Sequence, residues 1–249
     1  MPAASAFAIG VDLAWGQRGR TGLAALSTEG DLVAMDTVRT DDEIKLWLDI
    51  IAPGPCIVAL DAPLIVRNAT GMRDCERLVG KRFGGRNASC YPSNLANRNF
   101  ADGGRAWRLA GQHGLDTRLE SPGTRRAIEV YPHAALVSLF DLSTVLRYKR
   151  GRGRTAANRR SELLRLVGLI ETLGTADPPL HIEASAAWAS TRASVKEATR
   201  PMHLNAVEDA IDAVVCAYVA LLALRAPARI EVFGTEADGA IVVPRPALT

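Results

Sequence analysis

Three carboxylates lie at the ends of apolar segments of the chain, where burial of a charged side chain is energetically unfavourable. Asp12 lies in "FAIGVDLAWG", Asp61 follows "PCIVAL", and Glu129 lies near the end of "RRAIEVYPH". Each segment has the apolar character of a buried β-strand, and a buried carboxylate needs a cation or hydrogen-bond donors. Because functional groups of open α/β sheets gather at the carboxyl ends of strands, we expect these acids to lie close together.

A second set of acids lies on the most strongly predicted helix, "PMHLNAVEDAIDAVVCAYVALLALR". At about 100° per residue, Asp212 falls at the border of the apolar face, and Asp209 or Glu208 lies one turn before it. Asp212 can therefore lean toward the sheet. The opposite side of the helix is rich in alanine, which predicts close packing there against another element or another subunit, so that a homodimer is one interpretation.

Converging carboxylates repel one another unless cations match them. Hard divalent cations bind oxygen ligands, and two such ions about 4 Å apart can activate water and stabilise the leaving oxygen in phosphodiester cleavage. We therefore predict that Mg²⁺ or Mn²⁺ binds to Asp12, Asp61, Asp209 and Asp212, and that these acids form a catalytic site with Glu129. Taken singly, each acid also has an ordinary role open to it, such as a turn cap, an arginine partner or a solvated helix position.

The positive charge is concentrated in two tracts, although the net charge is only +3. Residues 66–126 contain twelve Lys or Arg against five acids, and residues 147–165 contain eight against one. This pattern favours a polyanion partner, whereas the alternative is a pair of solvated loops. Arginine forks match phosphate oxygens. We expect DNA or RNA to be bound through phosphates by a set of basic residues: Arg82, Arg86, Lys149, Arg150, Arg152 and Arg154.

Aromatic side chains that could stack on bases are few in these tracts. Tyr148 lies in the second tract, and Tyr91 and Trp107 lie in the first. Sequence-specific reading of bases is therefore not predicted.

Hydrophobic periodicity predicts an α/β fold with a mixed sheet flanked by helices. The polar, arginine-rich segment 66–124 shows no strong period and is interpreted as a basic insertion after the fourth strand. Around it we predict strands at 7–14, on both sides of Glu29-Gly30-Asp31, within 55–64 with Asp61 at the end of the strand, within 125–133 with Glu129 near the end, and on both sides of Ala237-Asp238-Gly239. We predict helices at 40–52, 134–142, 158–173 and 201–225.

Composition narrows the setting of the protein. No apolar run reaches 18 residues, and the N-terminus lacks the pattern of a signal peptide, so we expect a cytoplasmic protein with no membrane partner. The four cysteines, Cys56, Cys75, Cys90 and Cys216, form no CxxC pair, and we expect reduced thiols.

Several motifs together resemble an uncharacterised bacterial and archaeal family that is described as predicted nucleases of RNase H-like fold (domain of unknown function 429). They are "GVDLAWG", "ALDAPL", "RDCERLVGKRFGGRNASCYPSN", "IEVYPHAAL", "YKRGRG", "EDAIDAVVCAYVA" and "DGAIVVP". The resemblance implies a single RNase H-like domain over residues 1–249. It also implies metal-binding acids on the first strand (Asp12), the fourth strand (Asp61) and the last helix, where Asp209 and Asp212 resemble the acidic pair of Holliday-junction resolvases.

Glu129 and His133 match a stretch of that family whose role is open. His133 could bind a metal, transfer a proton or make a structural hydrogen bond.

Two other functions remain open at this stage. A phosphotransferase or ATPase of the same superfold needs glycine-rich phosphate loops; Gly16, Gly19 and Gly22 offer one such loop, and a second is not evident. A non-catalytic nucleic-acid-binding protein would keep the fold without turnover. A cleavage assay that depends on divalent ions separates a nuclease from such a binder.

Overall fold

One mixed seven-stranded sheet forms the centre of the molecule in the computed structural model, which describes residues 6–16, 19–121 and 123–246. Its strands are β1 (Phe7–Asp12), β2 (Thr21–Leu26), β3 (Leu32–Val38), β4 (Cys56–Leu60), β5 (Arg125–Val130), β6 (Ile230–Thr235) and β7 (Gly239–Pro244). Their spatial order is β3-β2-β1-β4-β5-β7-β6. The first three strands pair antiparallel, β1, β4, β5 and β7 run parallel, and β6 pairs antiparallel with β7. The predicted mixed α/β architecture is confirmed.

Helices cover both faces of this sheet. They are α1 (Asp41–Ile51), α2 (Asp74–Phe83), α3 (Arg105–Gln112), α4 (Pro132–Leu139), α5 (Ala156–Thr172), α6 (Ala186–Glu197), α7 (Pro201–Asn205) and α8 (Glu208–Arg225). Alternate residues of the strands divide between two apolar cores. One core joins the sheet to α1 and α3, and the other joins it to α2, α4, α5, α6 and α8. Within the described ranges, no helix is long and apolar enough to cross a bilayer.

Local sequence signals explain the predicted elements. Helix α1 begins with a capping box, in which the Thr40 hydroxyl accepts from the Glu43 amide at 3.2 Å and the Glu43 carboxylate accepts from the Thr40 amide at 2.9 Å. The β2–β3 turn needs Gly30, whose φ of 95° is in the left-handed region. Both elements agree with their predicted positions.

Helix α8 lies directly on the backbone of the two strands beneath it. A Cβ atom on Gly10 of β1 would lie 1.9 Å from the carbonyl oxygen of Ala213, and one on Gly22 of β2 would lie 1.9 Å from that of Asp209. Only glycine therefore permits this approach. The alanine-rich side of α8 is buried within the same chain. Its packing consequently requires no second subunit, and the homodimer stays a prediction.

The helix predicted over 201–225 is wrong in one respect, because it is broken into α7 and α8. The break falls at Ala206 and Val207, and a buried arginine from α5 spans it. Arg159 donates to the Asn205 side chain and to the Glu208 carboxylate, each at 2.7 Å. This bracing fixes the start of α8, which carries the acids of interest.

The segment between β4 and β5 contains α2 and α3, which the periodicity of the sequence did not predict. Two of its arginines point inward. Arg105 donates to the Asp41 carboxylate at 2.6 Å and to the Ala14 carbonyl oxygen at 2.9 Å. Arg73 is equally buried. The surface of this segment therefore carries less positive charge than its composition suggests.

Candidate functional site

Asp12 and Asp61 are neighbours across the parallel β1–β4 ladder. Val11 is in register with Leu60, and the amide of Asp61 donates to the carbonyl oxygen of Val11 at 2.9 Å. Because paired strands lie about 4.8 Å apart and side chains alternate between faces, both carboxyl groups point to the face covered by α8. They lie close enough for the charge of Asp12 to raise the pKa of Asp61. The two acids that end these strands are thus brought together.

Asp212 reaches the same place from α8 and is fully buried. Its Oδ1 atom accepts a hydrogen bond from the Tyr148 hydroxyl at 2.7 Å. Its Oδ2 atom lies 2.6 Å from Nζ of Lys149, and that Nζ lies 3.9 Å from Oδ2 of Asp12. Lys149 therefore stands between acids from the sheet and from the helix.

The first turn of α8 adds two acids with different surroundings. Glu208 forms an ion pair with the buried guanidinium of Arg159 at 2.7 Å. Asp209 is half-buried, and its backbone lies over Gly22 of β2. Of the predicted metal ligands, Asp12, Asp61 and Asp212 form the centre of the cluster, and Asp209 is close enough to Asp12 for the two charges to interact.

Burial and mutual repulsion change the acidity of this cluster. Burial raises the pKa of Asp12 to about 6, although Lys149 acts in the opposite direction. Burial, with the charges of Asp12 and Glu208, raises the pKa of Asp209 to about 7. Burial also raises the pKa of Asp61 well above its ordinary value, and the adjacent Asp12 adds to this. The site therefore holds more carboxylate than its own cations neutralise.

The cluster also changes the pKa of Lys149, and here it favours the charged form. Burial alone would lower the pKa of its ammonium, yet the carboxylates of Asp12 and Asp212 raise that pKa well above its usual range. The lysine is consequently protonated and supplies a fixed positive charge in the cluster.

Glu129 belongs to a separate ion-pair cluster. Arg73 donates to both of its oxygens, at 2.6 and 2.9 Å, and the amide of Leu64 donates to Oε2 at 2.9 Å. Arg73 is also paired with Glu76 at 2.8 Å. The arrangement matches the arginine-partner alternative, because both Glu129 oxygens already accept hydrogen bonds. A catalytic role for Glu129 stays a prediction.

A cavity of 270 Å³ connects the two clusters, and Asp12, Asp61, Glu129 and Lys149 all line it. Trp15, which packs edge-to-face on Phe100 at 5.1 Å, forms another part of its wall. This cavity is called the acidic cavity below. It opens beside Asp12, Asp61 and Glu129, whereas Asp212 lies behind its wall.

The donor set suits a hard divalent cation that keeps much of its water. In the described part of the chain, Oδ2 of Asp12 and Oδ2 of Asp212 are buried oxygens that accept no aligned hydrogen bond, although the second contacts the Lys149 ammonium. No group of three His, Cys, Asp or Glu among the described residues has ligand spacing. Mg²⁺ commonly binds through one or two carboxylates and several waters, so two oxygens are enough. Lys149 would have to move aside.

A second cavity, of 690 Å³, adjoins the first and is called the basic cavity below. It shares Tyr91, Tyr131, His133 and Lys149 with the acidic cavity. Its cationic lining consists of Arg147, Lys149, Arg150 and Arg154. Of the residues predicted to bind nucleic acid, three are thus gathered here: Lys149, Arg150 and Arg154.

The other three predicted phosphate-binding residues lie outside the basic cavity. Arg82 is exposed on α2, and Arg152 is exposed at the tip of the loop before α5. Arg86 forms an ion pair with Asp141 at 2.9 Å. Any contact that these three make with nucleic acid would be with a longer strand that extends past the cavity.

His133 lies on the boundary of the two cavities. Its Nδ1 atom is 3.3 Å from the Tyr131 hydroxyl, and that hydroxyl donates to the Ser89 carbonyl oxygen at 2.9 Å. Burial, together with the charge of Lys149, lowers the pKa of His133 to about 4, so the ring is neutral at pH 7. With Nδ1 as the donor to Tyr131, Nε2 has a free lone pair.

Sequence reasoning missed the place of two adjacent residues. Tyr148 is fully buried and binds Asp212, so it is not available to stack on a base. Lys149 was predicted to contact phosphate, whereas its ammonium also forms an ion pair inside the carboxylate cluster. A tyrosine–lysine pair in a glycine-rich loop carries no periodic signal from which either contact could be inferred.

The comparisons with known proteins support one assignment. The family model described as "Protein of unknown function (DUF429)" matches residues 10–237, which is nearly the whole chain. The matched range includes every lining residue of both cavities except Ile241 in the last strand. No curated protein matches the chain. The family assignment therefore rests on the match over residues 10–237.

Proposed function

The chain belongs to this DUF429 family, and we propose that it is a nuclease of RNase H-like fold that hydrolyses phosphodiester bonds of DNA or RNA with a divalent metal ion. One observation carries the proposal. Carboxylates from β1, from the end of β4 and from α8 meet beside a cavity lined by four cationic side chains. The carboxylates would bind divalent cations, and the cationic side chains would bind the phosphates next to them.

The fold supports the proposal through the order and direction of its strands. The resemblance implies a sheet in which an acid on the first strand neighbours an acid on the fourth, with a further acid on the last helix. In this chain β1 and β4 are parallel neighbours, and α8 packs on β1 through Gly10. Strands β7 and β6 extend the sheet beyond β5.

Under this proposal each group has a defined task. Asp12 and Asp212 would hold Mg²⁺ or Mn²⁺ with help from Asp61 and Asp209, and the bound ion would activate water and stabilise the leaving oxygen. Arg150 and Arg154 would hold phosphate oxygens, because guanidinium groups bind them in bidentate geometry. The Lys149 ammonium would leave Asp212 and pair with the phosphate that enters.

One observation favours a second candidate, a nucleic-acid-binding protein without turnover. Lys149 already provides a cation between Asp12 and Asp212, so the cluster is partly neutralised without metal. The phosphotransferase alternative has less support, because Gly22 lies in β2 beneath α8 and does not form part of a phosphate loop.

A cleavage assay separates these candidates. Purified protein is incubated with labelled single-stranded and duplex DNA and RNA, in Mg²⁺, in Mn²⁺ and in EDTA. We expect cleavage that requires the ion and is lost in Asp12→Asn. Asp36→Asn changes an exposed acid on β3 and should retain activity. Binding without cleavage in either ion would support the binder, and transfer of phosphate from ATP would support a phosphotransferase.

A further inference from the structure

Tyr91 is the most exposed large aromatic at the boundary of the two cavities. Its side chain is 77% exposed, and it lines both the acidic and the basic cavity. An exposed aromatic ring beside a cationic surface is the usual platform on which a nucleic-acid base stacks. Trp107 is also exposed, but it lines neither cavity.

The charge of the basic cavity is of one sign. Among the described residues that line it, four are Lys or Arg and none is Asp or Glu. The Arg154 guanidinium is held in place, because Nη1 donates to the carbonyl oxygen of Lys149 at 2.8 Å. Lys149 is paired with Asp212, so the cations left to attract an anion into this cavity are the three arginines.

Two polar atoms behind the wall of this cavity lack a partner among the described residues, and a ligand would reach them by displacing the side chains in front. Within the described ranges, Nε of Arg154 and Nε2 of His133 are buried and have no hydrogen-bond partner. Buried polar atoms are rarely left unpaired, so each such atom calls for an explanation. Nε of Arg154 is a donor that suits a phosphate oxygen, whereas Nε2 of the neutral His133 is an acceptor that suits a sugar hydroxyl or a base amino group.

The volume of the cavity and the exposed ring of Tyr91 favour an unpaired nucleotide over duplex nucleic acid. Its 690 Å³ falls in the range of pockets that enclose one small organic ligand. A paired base inside a duplex has both faces covered by its neighbours, so a tyrosine ring can stack only on an unpaired base.

We propose that the basic cavity binds one unpaired nucleotide of a single strand, with its base on Tyr91 and its phosphates on Arg147, Arg150 and Arg154. The proposal rests on the proposed function, because it places the scissile region of a single strand beside the carboxylate cluster. It names single-stranded nucleic acid as the substrate class. The nucleotide in the cavity needs no metal to bind.

Calorimetric titration with a 5′-phosphorylated thymidine dinucleotide in EDTA tests the subsite, because this probe is too short to reach far beyond it. We expect Tyr91→Ala to weaken binding by about ten-fold and Tyr91→Phe to leave it nearly unchanged, since stacking needs the ring and not the hydroxyl. Trp107→Ala, the matched control for an exposed aromatic, should bind like the unaltered protein.

A pair of arginines on one loop provides the second arm. Arg150→Ala should weaken dinucleotide binding several-fold, because Arg150 lines the cavity, whereas Arg152→Ala should have little effect. Equal losses in the two variants would overturn the proposal, as they would show only a general attraction to positive charge. Equal binding of Tyr91→Ala and the unaltered protein would also overturn it.

Two further ligands separate the sources of binding. A sugar–phosphate dinucleotide without bases should bind more weakly and show no dependence on Tyr91. A blunt duplex hairpin should not compete with the dinucleotide at equal concentration of phosphate; effective competition would contradict the selection of unpaired bases. All these binding measurements are made in EDTA, so they do not depend on cleavage. Absence of cleavage in the nuclease assay would not contradict the nucleotide subsite. Absence of dinucleotide binding would not contradict the nuclease, which the cleavage assay tests separately.

Discussion

The ammonium of Lys149 lies 2.6 Å from Oδ2 of Asp212, inside the cluster that the sequence predicts to bind a divalent cation. The lysine belongs to the loop that also carries Arg150 and Arg154. The same loop therefore contributes to the acidic cavity and to the basic cavity. Movement of this loop toward a phosphate would expose Asp12 and Asp212 to a metal ion.

Replacing Lys149 with methionine should make the fold depend on metal. Asp212 is fully buried, and loss of its cation leaves an uncompensated charge, which typically costs about 3–5 kcal/mol. Mn²⁺ should recover much of this loss by binding to the same carboxylates. Urea unfolding with and without Mn²⁺ measures both effects. Lys45→Met removes an exposed ion pair with Asp49 and should change little in either condition.

Asp12→Asn should fold normally, gain stability without metal and lose divalent-ion binding. Asparagine keeps the shape of the side chain and removes a charge whose burial raises the pKa of Asp12 to about 6. At pH 7 the gain in unfolding free energy should be on the order of 2 kcal/mol in EDTA. Titration calorimetry with Mn²⁺ gives the second result, and equal affinity in Asp12→Asn and the unaltered protein would count against Asp12 as a ligand.

Asp12 and Asp209 should lower the stability of the metal-free protein as the pH rises from about 4 to about 7, whereas His133, whose pKa burial lowers to about 4, acts in the opposite direction below about pH 6.5. Burial raises the pKa of Asp12 to about 6 and that of Asp209 to about 7, whereas both carboxyls titrate near pH 4 in the unfolded chain. Between these values the two carboxyls bind more protons in the folded protein than in the unfolded chain, so their titration favours unfolding as the pH rises. Urea unfolding in EDTA at pH 5 and pH 7.5 tests this, and the difference should shrink in Asp12→Asn. An equal difference in Asp12→Asn and in the unaltered protein would contradict the role of Asp12.

Removing the arginines of the loop should reduce the salt dependence of nucleic-acid binding. In Arg150→Ala/Arg152→Ala/Arg154→Ala, the slope of log affinity against log salt should become shallower by about 2 to 3, because about three phosphate contacts are lost. The probe is a long single strand, measured by fluorescence anisotropy in EDTA. An unchanged slope with a large loss of thermal stability would show that these arginines are structural.

The double variant Arg150→Ala/Arg152→Ala serves as the control for folding. Both side chains are exposed, whereas Arg154 donates to the Lys149 carbonyl oxygen. The double variant should therefore unfold at the same temperature as the unaltered protein and still show a shallower slope.

Gly10→Ala should be severely destabilising. Its Cβ would lie 1.9 Å from the Ala213 carbonyl oxygen, so α8 must shift from the sheet, and a loss of at least about 3 kcal/mol is expected. Gly168→Ala is the matched control, because Gly168 lies inside α5 and no described atom beyond the adjacent helix backbone lies within 4 Å of the added Cβ. It should stabilise the protein by about 0.5–1 kcal/mol, as alanine favours helix. Similar behaviour of the two variants would contradict the close approach of α8.

The sheet and the central acids could be predicted because their signals are local. Apolar strands that end in a carboxylate identify Asp12 and Asp61, and helical periodicity identifies Asp212. The inward arginines could not be predicted, because the residue type does not show whether a long charged side chain is in solvent or is buried. Arg105, for example, pairs with Asp41 inside the protein. The break before α8 depends on Arg159 from a distant helix, which periodicity within one segment does not reveal.

The contact between Gly10 and Ala213 also determines what the carboxylate site can adapt to. Main-chain atoms meet there without an intervening side chain, so no change of rotamer can bring α8 nearer to β1. The distance between the backbones that carry Asp12 and Asp212 is consequently set by van der Waals radii. If the site binds a divalent cation as proposed, adjustment to the radius of the ion would come from the two short aspartate side chains and from the loop that carries Lys149. Under the proposed function, a larger ion such as Ca²⁺ would have to be accommodated without an inward movement of α8.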